Sequence, residues 1–411
     1  MSEHTASAPA PERFRRASAG ALPLAFLGGG ALCLAIALVW GLAVDRQQFA
    51  HSWLLGFMYC FTICAGSLFW ILLHHAVDAN WSVVVRRLFE HVAALFPYLV
   101  ALFIPLLFCL PDLYRWLTLD PLADHALAHK SPYLNKGFLL FRLAFYFLYF
   151  TFAALLFKTK SVMQDETGDP RLSLGMRRWS NGLMLLFAVS ITFAGFDLLM
   201  ALDHTWYSTM WGVYIFAGSA LSSIALTILV SSLLRDAGYL KGVLTVEHDH
   251  IMGKLMFAFV IFWAYIGFSQ YLLIYYSNIP EETLFFFRRN TGSWLYVSLV
   301  LVVGHFILPF LIILTQPAKR GGKRLLFAAG WILFMHAVDL FWIIAPSLQT
   351  YRDLAAGGGG DTSGFAIHPI DILCLLGFVG VLGALLFRML EKTDLFPSRD
   401  PRLMESIALK N

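Results

Sequence analysis

The sequence predicts an all-α, polytopic membrane protein with ten transmembrane helices and both termini in the cytoplasm. Of its 411 residues, 59% are hydrophobic and only 14% charged, against about one-quarter charged in soluble domains. Ten apolar stretches reach the roughly 20 residues that a hydrocarbon core of about 30 Å demands. The basic residues gather on alternating sides of those stretches, as the positive-inside rule requires.

The stretches fall near 21–44, 49–75, 84–110, 136–157, 180–202, 209–234, 252–277, 292–315, 325–346 and 367–388. Arg13, Arg15 and Arg16 precede the first as they would in a signal peptide. That run is about twice the usual length, so it reads as an uncleaved span. With the N-terminus inside, 22 of the 30 Lys and Arg residues lie on the inner side. Seven lie outside (Arg46, Arg115, Lys130, Lys136, Arg288, Arg289 and Arg352), and Arg142 sits within a span. The net charge of +4 therefore reports topology and not nucleic-acid binding. Residues 1–20 and 392–411 read as cytoplasmic tails around one membrane domain, 21–391. Most connections are short, which makes successive helices antiparallel neighbours. The longer loops are 111–135, 158–179 and 347–366, the last containing the glycine run Gly357–Gly360.

Cys33, Cys60, Cys64, Cys109 and Cys374 all fall inside spans and form neither CxxC nor CxxCH. A disulfide framework, an iron–sulfur site and a covalent haem site are therefore not expected in this chain. His125 with His129, and His248 with His250, have spacings a metal could use, but further ligands are not apparent and a metal is not expected. A short echo joins His75-Ala-Val-Asp78-x-x-Trp81 to His336-Ala-Val-Asp339-x-x-Trp342. Six residues are too few to establish an inverted repeat.

Charged groups inside a bilayer cost roughly 2.5 kcal/mol upward near its centre and so mark proton or ligand routes. His305 and His336 lie 15 and 16 residues from Arg320 in the turn between spans eight and nine. At about 1.5 Å per residue they share one depth, near the membrane middle. Asp339 follows His336 by three and shares its helix face. Such a group could relay protons, because imidazole exchanges them near neutral pH; it could instead be a buried knot that fixes helix packing. Haem ligation by the two histidines is the weaker alternative, since nothing else along the helices repeats. Asp197 and Asp203 extend the candidate route outward, and Glu90, His91, Lys254, His75 and Asp78 extend it inward. Arg142, Asp197, Gln270 and Tyr271, in the outer parts of spans four, five and seven, are candidates for the polar head of a quinone.

Three further stretches occur together. One runs from Phe196 through Asp203-His204-Thr205-Trp206 to Tyr214 and Gly218. A second holds Gly253-Lys-Leu-Met-Phe, Phe262-Trp-Ala-Tyr265, Phe268-Ser-Gln270-Tyr271 and Tyr276-Ser-Asn-Ile-Pro280-Glu-Glu-Thr283. The third is Gly304-His305-Phe-Ile-Leu-Pro309. Together they resemble the F subunit of alternative complex III, a bacterial quinol:cytochrome c oxidoreductase, within the NrfD/PsrC-like membrane family. The motifs cover about 100 residues, and the ten-span topology extends the likeness over nearly the whole chain.

The resemblance implies two four-helix bundles, spans two to five and six to nine, flanked by the first and tenth helices. It also implies residence in the bacterial inner membrane beside a homologous quinol-binding subunit, a periplasmic iron–sulfur protein and haem c subunits, with a terminal oxidase as a further partner. In that family the haem c and iron–sulfur clusters sit in the partners, and this chain would hold no redox cofactor, at most a quinone, menaquinone or lipid. It would serve as a proton route or support. One departure is visible: Asp203-His204 stands where the family pattern has Asp-Pro. The rival readings are a stand-alone secondary transporter and a purely structural anchor.

Overall fold

The computed structural model describes residues 9–15, 20–121, 124–359 and 364–410. Arg16 and Gly360 lie outside them. Among the described residues every regular element is helical, and ten helices are long and apolar enough to cross a membrane. They are α1 (Leu22–Val44), α2 (Arg46–Ala76), α3 (Val83–Leu107), α4 (Lys136–Thr167), α5 (Arg171–Leu202), α6 (Trp211–Asp236), α7 (Val246–Ser277), α8 (Trp294–Ile312), α9 (Gly322–Ala355) and α10 (Pro369–Lys392).

Several helices outrun their apolar stretches, because hydropathy marks bilayer depth whereas capping marks helix ends. Asp45 starts α2 by accepting from the Gln48 N–H at 3.0 Å, and Asn135 starts α4 through the Phe138 N–H at 2.9 Å. Gly168, at φ 69°, ends α4 ten residues beyond the apolar run. Capping boxes at Thr245/His248 and His368/Asp371 open α7 and α10.

Prolines make the irregularities. Pro97 has no N–H for the Ala93 carbonyl, and α3 breaks at 94–95. Helix α8 winds as a π-helix over Leu301–Ile307 before Pro309. In that i→i+5 register the Gly304 carbonyl faces Pro309, which cannot donate, and the Trp331 indole N–H takes it at 2.7 Å. Within α9, Pro346 similarly strands the Trp342 carbonyl. A short helix between α7 and α8, Pro280–Arg289, answers it: Arg289 Nε donates to Trp342 O at 3.0 Å and Nη2 to Ile343 O at 2.7 Å.

Helix α2 is the most enclosed, 89% of its apolar window being buried, and it packs along α6. At their crossing a Cβ on Gly66 would lie 1.9 Å from Ser219 O, so the two backbones touch. Helix α1 is only 17% buried and pairs with α10 through Gly30 and Gly380 in the same way. The end regions fold back on the membrane domain. Phe14 packs on Tyr239 and Phe387, Leu395 and Phe396 are fully buried, and the helix Leu403–Ile407 rests on α3.

Candidate functional site

Near its midpoint α9 presents His336 and Asp339, both almost wholly buried, as the i, i+3 spacing leads one to expect. They take partners on different helices. His336 Nε2 lies 2.7 Å from Thr62 Oγ1 of α2, with the Tyr59 ring 5.7 Å away. Asp339 accepts from the Tyr214 hydroxyl of α6 through Oδ1, and from Trp263 Nε1 of α7 through Oδ2 at 3.3 Å. No hydrogen bond joins His336 to Asp339 among the described residues. His305 sits in the π segment of α8 and stacks on Trp263 with ring centroids 4.0 Å apart. The one indole therefore touches both His305 and Asp339, and the group expected at a single depth is assembled around Trp263 and not through direct contacts.

Burying a carboxylate is costly unless donors or a cation offset it. Asp339 has two donors and, among the described residues, no Lys or Arg partner. Both ring nitrogens of His305 and Nδ1 of His336 find no hydrogen-bond partner among the described residues. Gly218 of α6 packs directly on the His336 ring: a Cβ there would stand 3.3 Å from Cε1 and 3.5 Å from Nδ1. A carboxyl, a phenol and two imidazoles thus share a buried centre with hydrogen-bonding capacity unspent among the described residues.

A cleft of about 800 Å³ opens beside this centre between α7, α8 and the helix Pro280–Arg289. Its walls are aromatic (Trp211, Tyr214, Trp263, Phe285, Phe286 and Trp342), with Gln270, Asn290 and Ser298 as its polar points. That is the usual composition of a small-molecule site, apolar walls with few polar groups. Tyr214 and Trp263, the two donors to Asp339, form part of its lining. Arg289 supports the cleft from behind, its guanidinium 3.5 Å from the centre of the Phe285 ring. Burial pulls Arg289 down to about 9, so it remains charged at neutral pH.

The other candidates separate into distinct groups. Arg142 binds Asp197 in two parallel hydrogen bonds of 2.7 and 2.8 Å, donates a third to Tyr133 O at 2.9 Å, and Tyr146 completes the carboxylate at 2.8 Å. That is a saturated ion pair, away from the cleft that Gln270 and Tyr271 line, so the four quinone candidates are not one site. Gln270 accepts from Ser208 at 2.9 Å, while Tyr271 is partly exposed. Asp203 pairs with Arg288 at 3.0 Å and clasps the α5–α6 turn to the short helix Pro280–Arg289.

At the end of the bundle nearest the termini Glu90 is locked between Arg86 at 3.0 Å and Arg87 at 3.3 Å. Arg86 also holds Asp400 at 2.7 Å, and Arg87 holds Asp165. His75 stacks on Phe157, and His91 is 3.3 Å from Thr393. Asp78 is not on α2: it occupies the turn beyond it at φ 51°, exposed and paired with Arg402. The two copies of the six-residue echo therefore have different backbones. Lys254 is exposed and makes no contact with the central group. His248 caps α7, His250 lies 3.8 Å from Glu247, and the rings of His125 and His129 are 4.8 Å apart.

Sequence reasoning gave no role to Thr62, Tyr214, Trp263 or Asp400. Tyr214 and Trp263 lay within the quoted motifs, but their bonds to Asp339 span 125 and 76 residues. No local signal carries such pairings.

Ten apolar helices enclosing polar groups define a multi-pass integral membrane protein. No protein-family model matches the chain, and no curated protein matches it.

Proposed function

We propose that this chain is a membrane subunit of an alternative complex III assembly in the bacterial inner membrane, without a redox cofactor of its own. In this reading the α7–α8 cleft receives the head of an amphiphile such as a quinone, and Tyr214, Asp339, His336 and His305 exchange protons beside it. The observation that carries the reading is that Tyr214 and Trp263 both line the cleft and hydrogen-bond Asp339. Proton transfer needs donor and acceptor within hydrogen-bonding reach, a condition the phenol–carboxyl contact meets.

The same reading makes α2–α5 and α6–α9 two four-helix bundles flanked by α1 and α10, with both termini cytoplasmic. Contacts within each set of four, and the pairing of α1 with α10 alongside α2, support it. The bundles would meet where α2 packs on α6. The partners would be a homologous quinol-binding subunit, a periplasmic iron–sulfur protein, haem c subunits and a terminal oxidase.

Gentle purification from native membranes tests the assignment. Recovery with haem c and iron–sulfur subunits is the expected result, and a solitary chain would overturn it. A secondary transporter is the second reading, favoured by the interruptions in α3 and α8, since transporters bind at broken helices. Solute uptake by the isolated chain in vesicles would establish that reading instead.

A further inference from the structure

A second crevice, of about 630 Å³, lies between the α1–α10 pair and the core helices α2, α6 and α9. It runs from Phe14 and Ala237 at the end nearest the termini to Tyr59, Cys60 and Cys64 in the interior. Apart from the Tyr59 hydroxyl and two thiols, its lining is hydrocarbon or aromatic ring. The Tyr59 hydroxyl is already committed to Leu333 O. A molecule held there has no polar anchor inside and must leave its polar head at the rim. That is the behaviour of an acyl chain.

The rim supplies the charge. Arg15 follows Phe14, and its backbone N–H donates to the Tyr239 hydroxyl at 3.1 Å. Arg388 follows Phe387, whose ring lies 6.1 Å from that of Phe14. The Lys241 ammonium folds back to Gly238, where an added Cβ would be 3.9 Å from it, next to Ala237 of the crevice. Arg15, Lys241 and Arg388 are all exposed, and none forms an ion pair among the described residues. Of the neighbouring acids, Glu12 accepts from the Leu240 N–H at 2.7 Å, Asp394 is paired with Arg13, and Asp236 is exposed.

We propose that this crevice binds an anionic phospholipid of the leaflet nearest the termini, with an acyl chain between α1–α10 and the core and its phosphate against Arg15, Lys241 and Arg388. Each methylene taken from water or detergent into the crevice adds to retention, and the cations select the headgroup. The proposal concerns a different cavity from the α7–α8 cleft and stands independently of the function proposed above.

Gly330 of α9 lines the crevice, and a Cβ built on it meets nothing within 4 Å. Gly330→Leu therefore projects a side chain into the crevice from a Cβ position that is free of contact. The full chain would be reconstituted in vesicles of equal phosphatidylglycerol and phosphatidylethanolamine, extracted in mild detergent and weighed intact by native mass spectrometry. The expected result is wild-type protein retaining phosphatidylglycerol, with Gly330→Leu losing it roughly tenfold or more. The triple variant Arg15→Gln, Lys241→Gln, Arg388→Gln keeps a lipid but loses the preference for phosphatidylglycerol. Thermal unfolding of each variant confirms an intact fold. Equal retention by Gly330→Leu, an unchanged headgroup preference in the triple variant, or bare wild-type protein would each overturn the proposal.

Discussion

The Tyr214 hydroxyl of α6 donates to Asp339 of α9, and the same tyrosine forms part of the wall of the α7–α8 cleft. A buried carboxyl is thereby connected by one side chain to a space large enough for a ligand. Tyr214→Phe removes one of the two donors and leaves Trp263 alone on Asp339. An unsatisfied buried acceptor costs about 1–3 kcal/mol. Thermal unfolding in detergent should show a loss of that size.

Asp339→Asn keeps the volume and removes the exchangeable carboxyl proton. Quinol-driven proton release by the intact assembly should fall by about tenfold or more, within the range of general acid–base contributions. Subunit composition on gel filtration should not change. Undiminished proton release with intact assembly would leave the central group a packing device.

Arg142 and Asp197 should behave as structure, not as a ligand site. Arg142→Met strands a buried carboxylate, for which about 3–5 kcal/mol is the usual cost. The double change Arg142→Met, Asp197→Leu should recover a large part of it. Binding of a quinone analogue to the cleft, followed by quenching of Trp263 fluorescence, should be the same in the double variant and the wild type.

Arg289 and Pro346 should be energetically coupled. Pro346→Ala restores the N–H that the Trp342 carbonyl lacks, so Arg289 has less to satisfy. Arg289→Met should cost about 1 kcal/mol less in the Pro346→Ala background, by the worth of a hydrogen bond in a double-mutant cycle. Unfolding midpoints of the four proteins check this directly.

Gly66→Ala places a methyl group 1.9 Å from Ser219 O, where neither backbone can yield cheaply. Overpacking of this kind costs about 1–3 kcal/mol. Gly182, whose added Cβ meets nothing within 4 Å, is the control. Gly182→Ala should leave the unfolding midpoint unchanged or raised.

Ten helices were legible because hydropathy and loop charge act locally: a stretch of apolar side chains must span lipid whatever it packs against. His336 and Asp339 were legible as a pair for the same reason, since i, i+3 geometry is built into one helix. Arg142 and Asp197 were legible as charges in the corresponding parts of successive spans. Their saturation by Tyr133 and Tyr146 was not, and that saturation separates an ion pair from a binding site. Asp78 was legible as a residue at the end of the second span, but its left-handed turn was not, since the matching Asp339 lies within a helix. Lys254 was legible as a charge near the start of the seventh span, where it is exposed.

By itself the sequence determined that the chain is helical, carries ten helices long and apolar enough to cross a membrane, and places His305, His336 and Asp339 within them. Those properties follow from the solvent, which acts on each segment separately. Only the tertiary structure decided which side chains answer one another. It put Trp263 between His305 and Asp339, gave His336 to Thr62 of α2, and left one cleft beside Tyr214 and another beneath Tyr59. These contacts join residues 42 to 274 positions apart, and helix packing, set by glycine contacts and proline breaks, is what brings them within reach.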